Sequence, residues 1–317
     1  NERRPQAAPA SRIRAGWSMF TEEIEKLKKR EDAVILAHYY VDGAVQAAAD
    51  FVGDSFYLAK AAAQTDKSTI VFCGVRFMGE SAKILNPQRR VLLPDASADC
   101  PMAHMADAEQ IARLRAEVSD LAVVCYINSS AALKALSDVC VTSSNAVKIV
   151  SSLPNKNILF IPDENLGNFV RARVPGKTFY FSGGYCPAHA SVLSSDIESE
   201  RSAHPAAEVL THPECRADVC AASDFVGSTA EIVAYAEQSS RSEFIVCTEP
   251  GVLYELERRC PGKRFYPVAP VCADMKKITP ESVVRCLERG EYAVELEEKA
   301  AAAARRPLER MLELGSR

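Results

Sequence analysis

Short apolar runs alternate with stretches in which small apolar residues recur at helical spacing. In the first third the order is VILAHYY, DSFYLAKAAAQ, TIVFC, FMGESAKIL and RRVLLP. Continuous apolar runs of strand length predict buried strands, and the longer periodic stretches predict helices. The reading is therefore β-α-β-α-β. The same order returns twice, through VVCYINS, TSSNAVKIV and ILFIPDENLGN, and then through EVLTHPE, GSTAEIVAYA and FIVCTEPGVLY. The strand ends His38, Tyr126 and His212 are 88 and 86 residues apart, and Phe72, Phe160 and Val246 keep the same two intervals. Ser55, Ser143 and Ser228, at the starts of the following helices, are 88 and 85 apart. Ordered landmarks that recur three times indicate an internal triplication.

Alternating strands and helices of these lengths predict parallel sheets flanked by helices. Right-handed crossovers place the strand C-termini of one sheet on one side, which is where ligands bind in open α/β sheets. The expected fold is α/β: three pseudo-threefold-related α/β/α units with parallel sheets around a central cavity. The expected boundaries are a flexible N-terminal segment at 1–16 and repeats at 17–105, 106–192 and 193–280. A helical tail at 281–317 would pack back on the body.

Composition narrows the classes. The chain has 317 residues, 48% of them hydrophobic, and a net charge of −4. That balance gives no electrostatic reason to expect nucleic-acid binding. No apolar run approaches the roughly 18 residues of a membrane span. Eleven cysteines without a visible secretory signal point to reduced thiols or metal ligands rather than a disulfide framework. A cytoplasmic location is expected, or an organelle if the arginine-rich, acid-poor start is a transit remnant.

Three cysteines, Cys100, Cys186 and Cys272, are spaced by 86 and 86 residues, each just past a strand-like run. A single buried cysteine is usually structural. Three at equivalent loops suggest three thiolates converging on a metal. Such spacing excludes a local zinc finger and suits either a 4Fe–4S cluster with one open iron or a catalytic zinc. The helix starts Asp54-Ser55, Ser143-Ser144 and Ser228-Thr229 read first as N-caps, Ser228 with Glu231 as a capping box. Aimed together at one cavity they would bind an anionic substrate. The first-strand ends carry His38 and Tyr40, Tyr126 and Asn128, and His212 and Glu214. The alternation of His212 and Glu214 along an extended strand end would point both one way, as an acid–base pair.

The strings AHYY, ADFVGDS, FCGVRFMGESAKIL, CYINSS, TSSNAVKIV, PDENLGN, THPEC, GSTAEI, TEPG and CADMKKIT resemble the quinolinate synthase family, from about residue 20 to about 312. The resemblance implies an enzyme that condenses iminoaspartate with dihydroxyacetone phosphate to quinolinate, phosphate and water in NAD biosynthesis. It implies one 4Fe–4S cluster per chain on Cys100, Cys186 and Cys272, its open iron acting as Lewis acid. It implies substrate contacts at His38, Ser55, Tyr126, Ile127, Asn128, Ser143, His212, Pro213, Glu214, Ser228 and Thr229. Catalytic roles would fall to Glu214 as base, His212 and His189 as proton donors or orienters, and Tyr40 and Tyr126 as hydrogen-bond donors to oxyanions. An aspartate-oxidising enzyme would supply the unstable imine; no nucleic-acid or membrane partner is implied.

Two positions depart from the family pattern. Val41 stands where relatives often have Gln, and Met275 where some carry a further cysteine. Two rival readings remain at this level: another three-domain iron–sulfur enzyme, such as one resembling the diphthamide-synthesis proteins, and a non-enzymatic protein with a closed structural metal.

Overall fold

The computed structural model describes residues 10–316, with side chains from residue 20 onward. It holds three four-stranded sheets, all of whose strand pairs are parallel. The first contains β1 (Ala33–His38), β2 (Phe51–Gly53), β3 (Thr69–Cys73) and β4 (Arg90–Leu92). The second contains β5 (Leu121–Tyr126), β6 (Val139–Val141), β7 (Asn157–Ile161) and β8 (Thr178–Phe181). The third contains β9 (Glu208–Thr211), β10 (Phe225–Val226), β11 (Glu243–Cys247) and β12 (Arg264–Pro267). The orders are β2-β1-β3-β4, β6-β5-β7-β8 and β10-β9-β11-β12.

Each repeat therefore has four strands where the sequence pattern indicated three. The additional strands, β2, β6 and β10, are edge strands of only two or three residues. Runs so short carry no detectable alternation, and only pairing with β1, β5 or β9 makes them strands. The central strands follow the pattern closely. Every residue of β1 and β3 is buried, as continuous apolar runs require in a sheet covered on both faces.

The pairing fixes residue equivalence more firmly than spacing does. Ala37 pairs with Val52 and Cys73, Cys125 with Cys140 and Ile161, and Thr211 with Val226 and Cys247. These offsets are identical in all three sheets, so His38, Tyr126 and His212 are true counterparts, as are Tyr40, Asn128 and Glu214. Extended by the same offsets, Ser55 and Ser143 match Thr229. Ser228, placed in that set by spacing alone, matches Asp54 instead. Both Asp54 and Ser228 are N-caps: Asp54 accepts from Tyr57 N, and Ser228 forms the expected box with Glu231. The second repeat differs. Its helix begins at Ala146 with Asn145 at the cap, so Ser143 and Ser144 precede the helix rather than open it. Asn145 Oδ1 accepts from Thr142 N at 2.7 Å, and Thr142 Oγ1 meets Ser144 Oγ at 2.9 Å. These local bonds compete with helix formation and delay its start.

Residues 1–9 of the N-terminal segment lie outside the described residues, and residues 10–16 form the first turns of a helix, Ala10–Arg30. The C-terminal helix Glu298–Ser316 packs along β6 and the neighbouring helices, fully burying Ala304, Leu308 and Met311. One continuous apolar core spans the first two sheets and this helix, while the third sheet has two smaller clusters on its opposite faces. Among the described residues no helix is long and apolar enough to cross a membrane.

Candidate active site

The C-terminal ends of the three sheets face a common cavity of about 340 Å³. Its lining includes the whole set of equivalent strand-end residues: His38, Tyr126 and His212; Tyr40, Asn128 and Glu214; Ser55, Ser143 and Thr229. Cys100, Cys186, Cys272 and His189 line it as well. Ile127, Pro213 and Ser228 do not. Ile127 is buried in the apolar core beside its strand, and Ser228 is committed to its cap.

The histidines are set by their own backbones. The amide of Tyr40 donates to His38 Nδ1 at 3.2 Å, and the amide of Glu214 donates to His212 Nδ1 at 3.3 Å. With Nδ1 accepting, the ring proton belongs on Nε2 in both. His212 Nε2 then donates to Ser143 Oγ, 3.2 Å away. Burial lowers both rings to about 3, so they are neutral donors at neutral pH. His212 and Glu214 do converge, but not by strand alternation. β9 ends at Thr211, and the chain turns through Pro213, with Cys215 N donating to His212 O at 3.0 Å.

Glu214 is the centre of the polar wall. Its Oε2 lies 2.7 Å from His189 Nδ1, and its Oε1 is buried without a protein partner, as is Asn128 Oδ1. Burial pushes the carboxyl up, but His189 and His212, and the hydrogen-bonding His189 and Tyr126 side chains, more than offset it and hold it down. Glu214 is thus an anion at neutral pH, with one oxygen left without a hydrogen-bond partner among the described residues. Burial, then the Glu214 charge, raises the Tyr126 and Tyr40 phenols well above their ordinary value, so both remain donors. Tyr40 Oη bonds Thr229 Oγ1 at 2.7 Å and Thr248 Oγ1 at 2.8 Å, and Thr248 also meets His189 Nε2 at 2.9 Å.

The thiols adjoin this polar cluster, with Cys186 Sγ 3.2 Å from His189 Nδ1. The three cysteines are half-buried, among Val75, Phe77, Met78, Pro101, Pro187, Val271 and Met275. Burial raises Cys100 to about 12, with Glu214 and Cys272 adding to it, and also raises Cys186 and Cys272. A coordinated cation would reverse this, since a metal-bound thiol loses its proton. Three thiols on one cavity, with no fourth thiol lining it among the described residues, fit a three-cysteine cluster with one open iron. A second donor set, Cys186, His189 and Glu214, has its ligand atoms within 4.8 Å of one another.

Four residues near the site were not singled out from the sequence, although PDENLGN contains Asp163 and TEPG contains Thr248 and Glu249. Thr248 links Tyr40 to His189. Asp163 and Glu249 are fully buried and accept from the amides of Cys186 and Cys272. Asp99 accepts from the amide of Cys100. Asp163 and Glu249 do occupy equivalent positions after β7 and β11, so the repeat itself could have flagged them.

Comparison with known proteins follows the same contour. The profile of the family described as quinolinate synthetase A protein matches residues 22–313. The quinolinate synthase of Caldicellulosiruptor saccharolyticus is 49% identical over 294 residues, covering 92% of this chain and 97% of that protein. The quinolinate synthase of Caldicellulosiruptor bescii is 50% identical over 295 residues, with coverage of 92% and 97%. Quinolinate synthase 2 of Methanosarcina acetivorans is 46% identical over 296 residues, with coverage of 93% and 95%.

Proposed function

The chain belongs to the quinolinate synthetase A family, and from that premise we propose that it makes quinolinate for NAD biosynthesis by condensing iminoaspartate with dihydroxyacetone phosphate, releasing phosphate and water. The observation that carries the proposal is the meeting of three thiols and an ionised, hydrogen-bonded glutamate across one cavity.

Cys100, Cys186 and Cys272 would hold a 4Fe–4S cluster. When bound, such a cluster with one open iron supplies a Lewis acid for substrate oxygen or nitrogen. The protein's own groups do the rest. Glu214 takes protons through its free Oε1. His189, held between Glu214 and Thr248, orients that carboxylate and exchanges a proton with it. His38 carries its ring proton on Nε2 at the cavity wall, and His212 donates its own to the cavity hydroxyl of Ser143. Tyr40 and Tyr126 donate to oxygens that gain charge in the transition state. The hydroxyls of Ser55, Ser143 and Thr229 bind carboxylate or phosphate oxygens, two of them at the N-termini of Ser55–Gln64 and Thr229–Gln238. An oxidase acting on aspartate would supply the imine.

The Cys186–His189–Glu214 set favours a second reading, a single metal ion such as zinc held by three protein donors. Anaerobic purification with iron, sulfide and zinc analysis, followed by assay of quinolinate formation, separates the two. About four irons and four sulfides per chain with turnover supports the cluster enzyme. One zinc, and no turnover after iron–sulfide reconstitution, overturns it.

A further inference from the structure

The cysteine loops are not equivalent in the way their equal intervals suggest. Pairing makes Leu92, Tyr180 and Tyr266 counterparts. Cys186 and Cys272 each follow six residues later (186 − 180 and 272 − 266), whereas Cys100 follows eight residues later (100 − 92). The first loop is therefore two residues longer. The second and third loops share a device that the first lacks. Asp163 Oδ2 accepts from Cys186 N at 3.1 Å while its Oδ1 accepts from Leu166 N at 2.7 Å. Glu249 Oε1 accepts from Cys272 N at 3.2 Å, and its Oε2 accepts from Gly251 N at 2.6 Å. Each carboxylate thus caps the helical turn after a central strand with one oxygen and holds a cysteine amide with the other. Lys276 joins the second of these, 3.1 Å from Glu249 Oε1 and 2.6 Å from Tyr40 O.

The first repeat has Val75 at the equivalent position. There the amide of Cys100 is held by the neighbouring Asp99 at 2.7 Å, and the loop is tied by Arg76 N to Ala98 O at 2.9 Å. Asp99 is half-buried and is shared with His104 at 2.8 Å, while its own amide donates to Asp274 Oδ1 at 3.3 Å.

We infer that Asp163 and Glu249 are a repeat-related pair of positioning residues that fix the sulfurs of Cys186 and Cys272 for the cluster, leaving Cys100 on the more adjustable loop. The inference rests on the cluster reading above and extends it. A hydrogen bond from a backbone amide to a buried carboxyl holds the amide where little water competes, and groups that orient metal ligands typically change affinity by about 10–100-fold when altered. Asn and Gln keep the shape and one acceptor oxygen, so Asp163→Asn and Glu249→Gln can keep the helix cap and lose the cysteine amide.

The test is anaerobic cluster reconstitution of the parent, D163N, E249Q, D99N and a control, D107N, at the N-cap of the helix Ala108–Glu117, where Asp107 accepts from Glu109 N at 2.9 Å and holds no cysteine amide. Iron release to a chelator, the electron paramagnetic resonance spectrum of the reduced cluster, and the melting temperature of the cluster-free protein are followed together. D163N and E249Q are expected to release iron about 10–100-fold faster than D107N, with altered spectra and cluster-free melting close to that control. D99N should fall between. Release and spectra matching D107N in both variants, or faster release accompanied by an equally large loss of cluster-free stability, would overturn the inference while leaving the cluster reading intact. A parent that takes up no iron and sulfide would remove both.

Discussion

The cavity has two rings that the triplication builds and treats in opposite ways. The cysteine ring repeats one residue three times. The strand-end ring places His38, Tyr126 and His212, then Tyr40, Asn128 and Glu214, at positions that pairing shows to be equivalent. A symmetric ligand set needs three identical soft donors, whereas an asymmetric substrate needs a different donor or acceptor at each point. Symmetry of the backbone thus serves the metal side, and divergence of side chains on that backbone serves the chemistry. The supports divide the same way: the polar ring, buried except at half-buried Tyr40 and Asn128, is cross-linked through His189 and Thr248, while the thiol ring is half-buried and braced from behind.

The comparison breaks most visibly if the cysteine ring is unequal. Cys100→Ser, Cys186→Ser and Cys272→Ser are each expected to abolish quinolinate formation and the open-site cluster, measured by iron content and turnover. Retained activity in any one would end the threefold reading. The polar ring should instead respond unequally. Glu214→Gln is expected to lower kcat by roughly 10²–10⁴-fold, the range for a general base, with cluster content kept; full turnover would sink the base assignment. Tyr126→Phe removes one donor and should cost about 10²-fold or somewhat more in kcat, visible in steady-state rates.

Protonation sharpens the contrast further. The folded-state pKa values of His38 and His212 are lowered by burial to about 3 from 6.5. The unfolded chain therefore binds more protons between those values. The stability that these residues contribute is full above about pH 6.5 and is lost as pH falls toward about 3. Melting of the cluster-free protein should drop between pH 7.5 and 5.5, and the drop should flatten in a His38→Asn/His212→Asn variant. The smallest effect is expected at Ser228, whose side chain serves its helix rather than the cavity. Ser228→Ala should cost about 1 kcal/mol of stability by denaturant unfolding, with KM unchanged; a large rise in KM would return Ser228 to the substrate.

Much of the site was legible because each repeat carries its chemistry at the ends of strongly apolar strands. His38, Tyr126, His212, Ser55, Ser143 and the three cysteines were found from such landmarks. Ile127 and Pro213 came with the resemblance as neighbours of lining residues, and Ser228 came from spacing alone, which does not separate it from the lining Thr229 one residue on. The short edge strands β2, β6 and β10 escaped notice because two or three residues hold no period.

The sequence by itself determined the central strands, their helices, the triplication and the three thiols, since burial of a continuous apolar run is a local consequence of composition. Tertiary structure decided what the residues do together. It placed Glu214 against His189, Tyr40 against Thr248 and Asp163 behind Cys186, and it showed that equal cysteine intervals conceal a loop two residues longer in the first repeat. Those are contacts between groups tens to hundreds of residues apart. Their hydrogen bonds and charge states depend on distance and burial in the folded chain, which no run of neighbouring residues encodes.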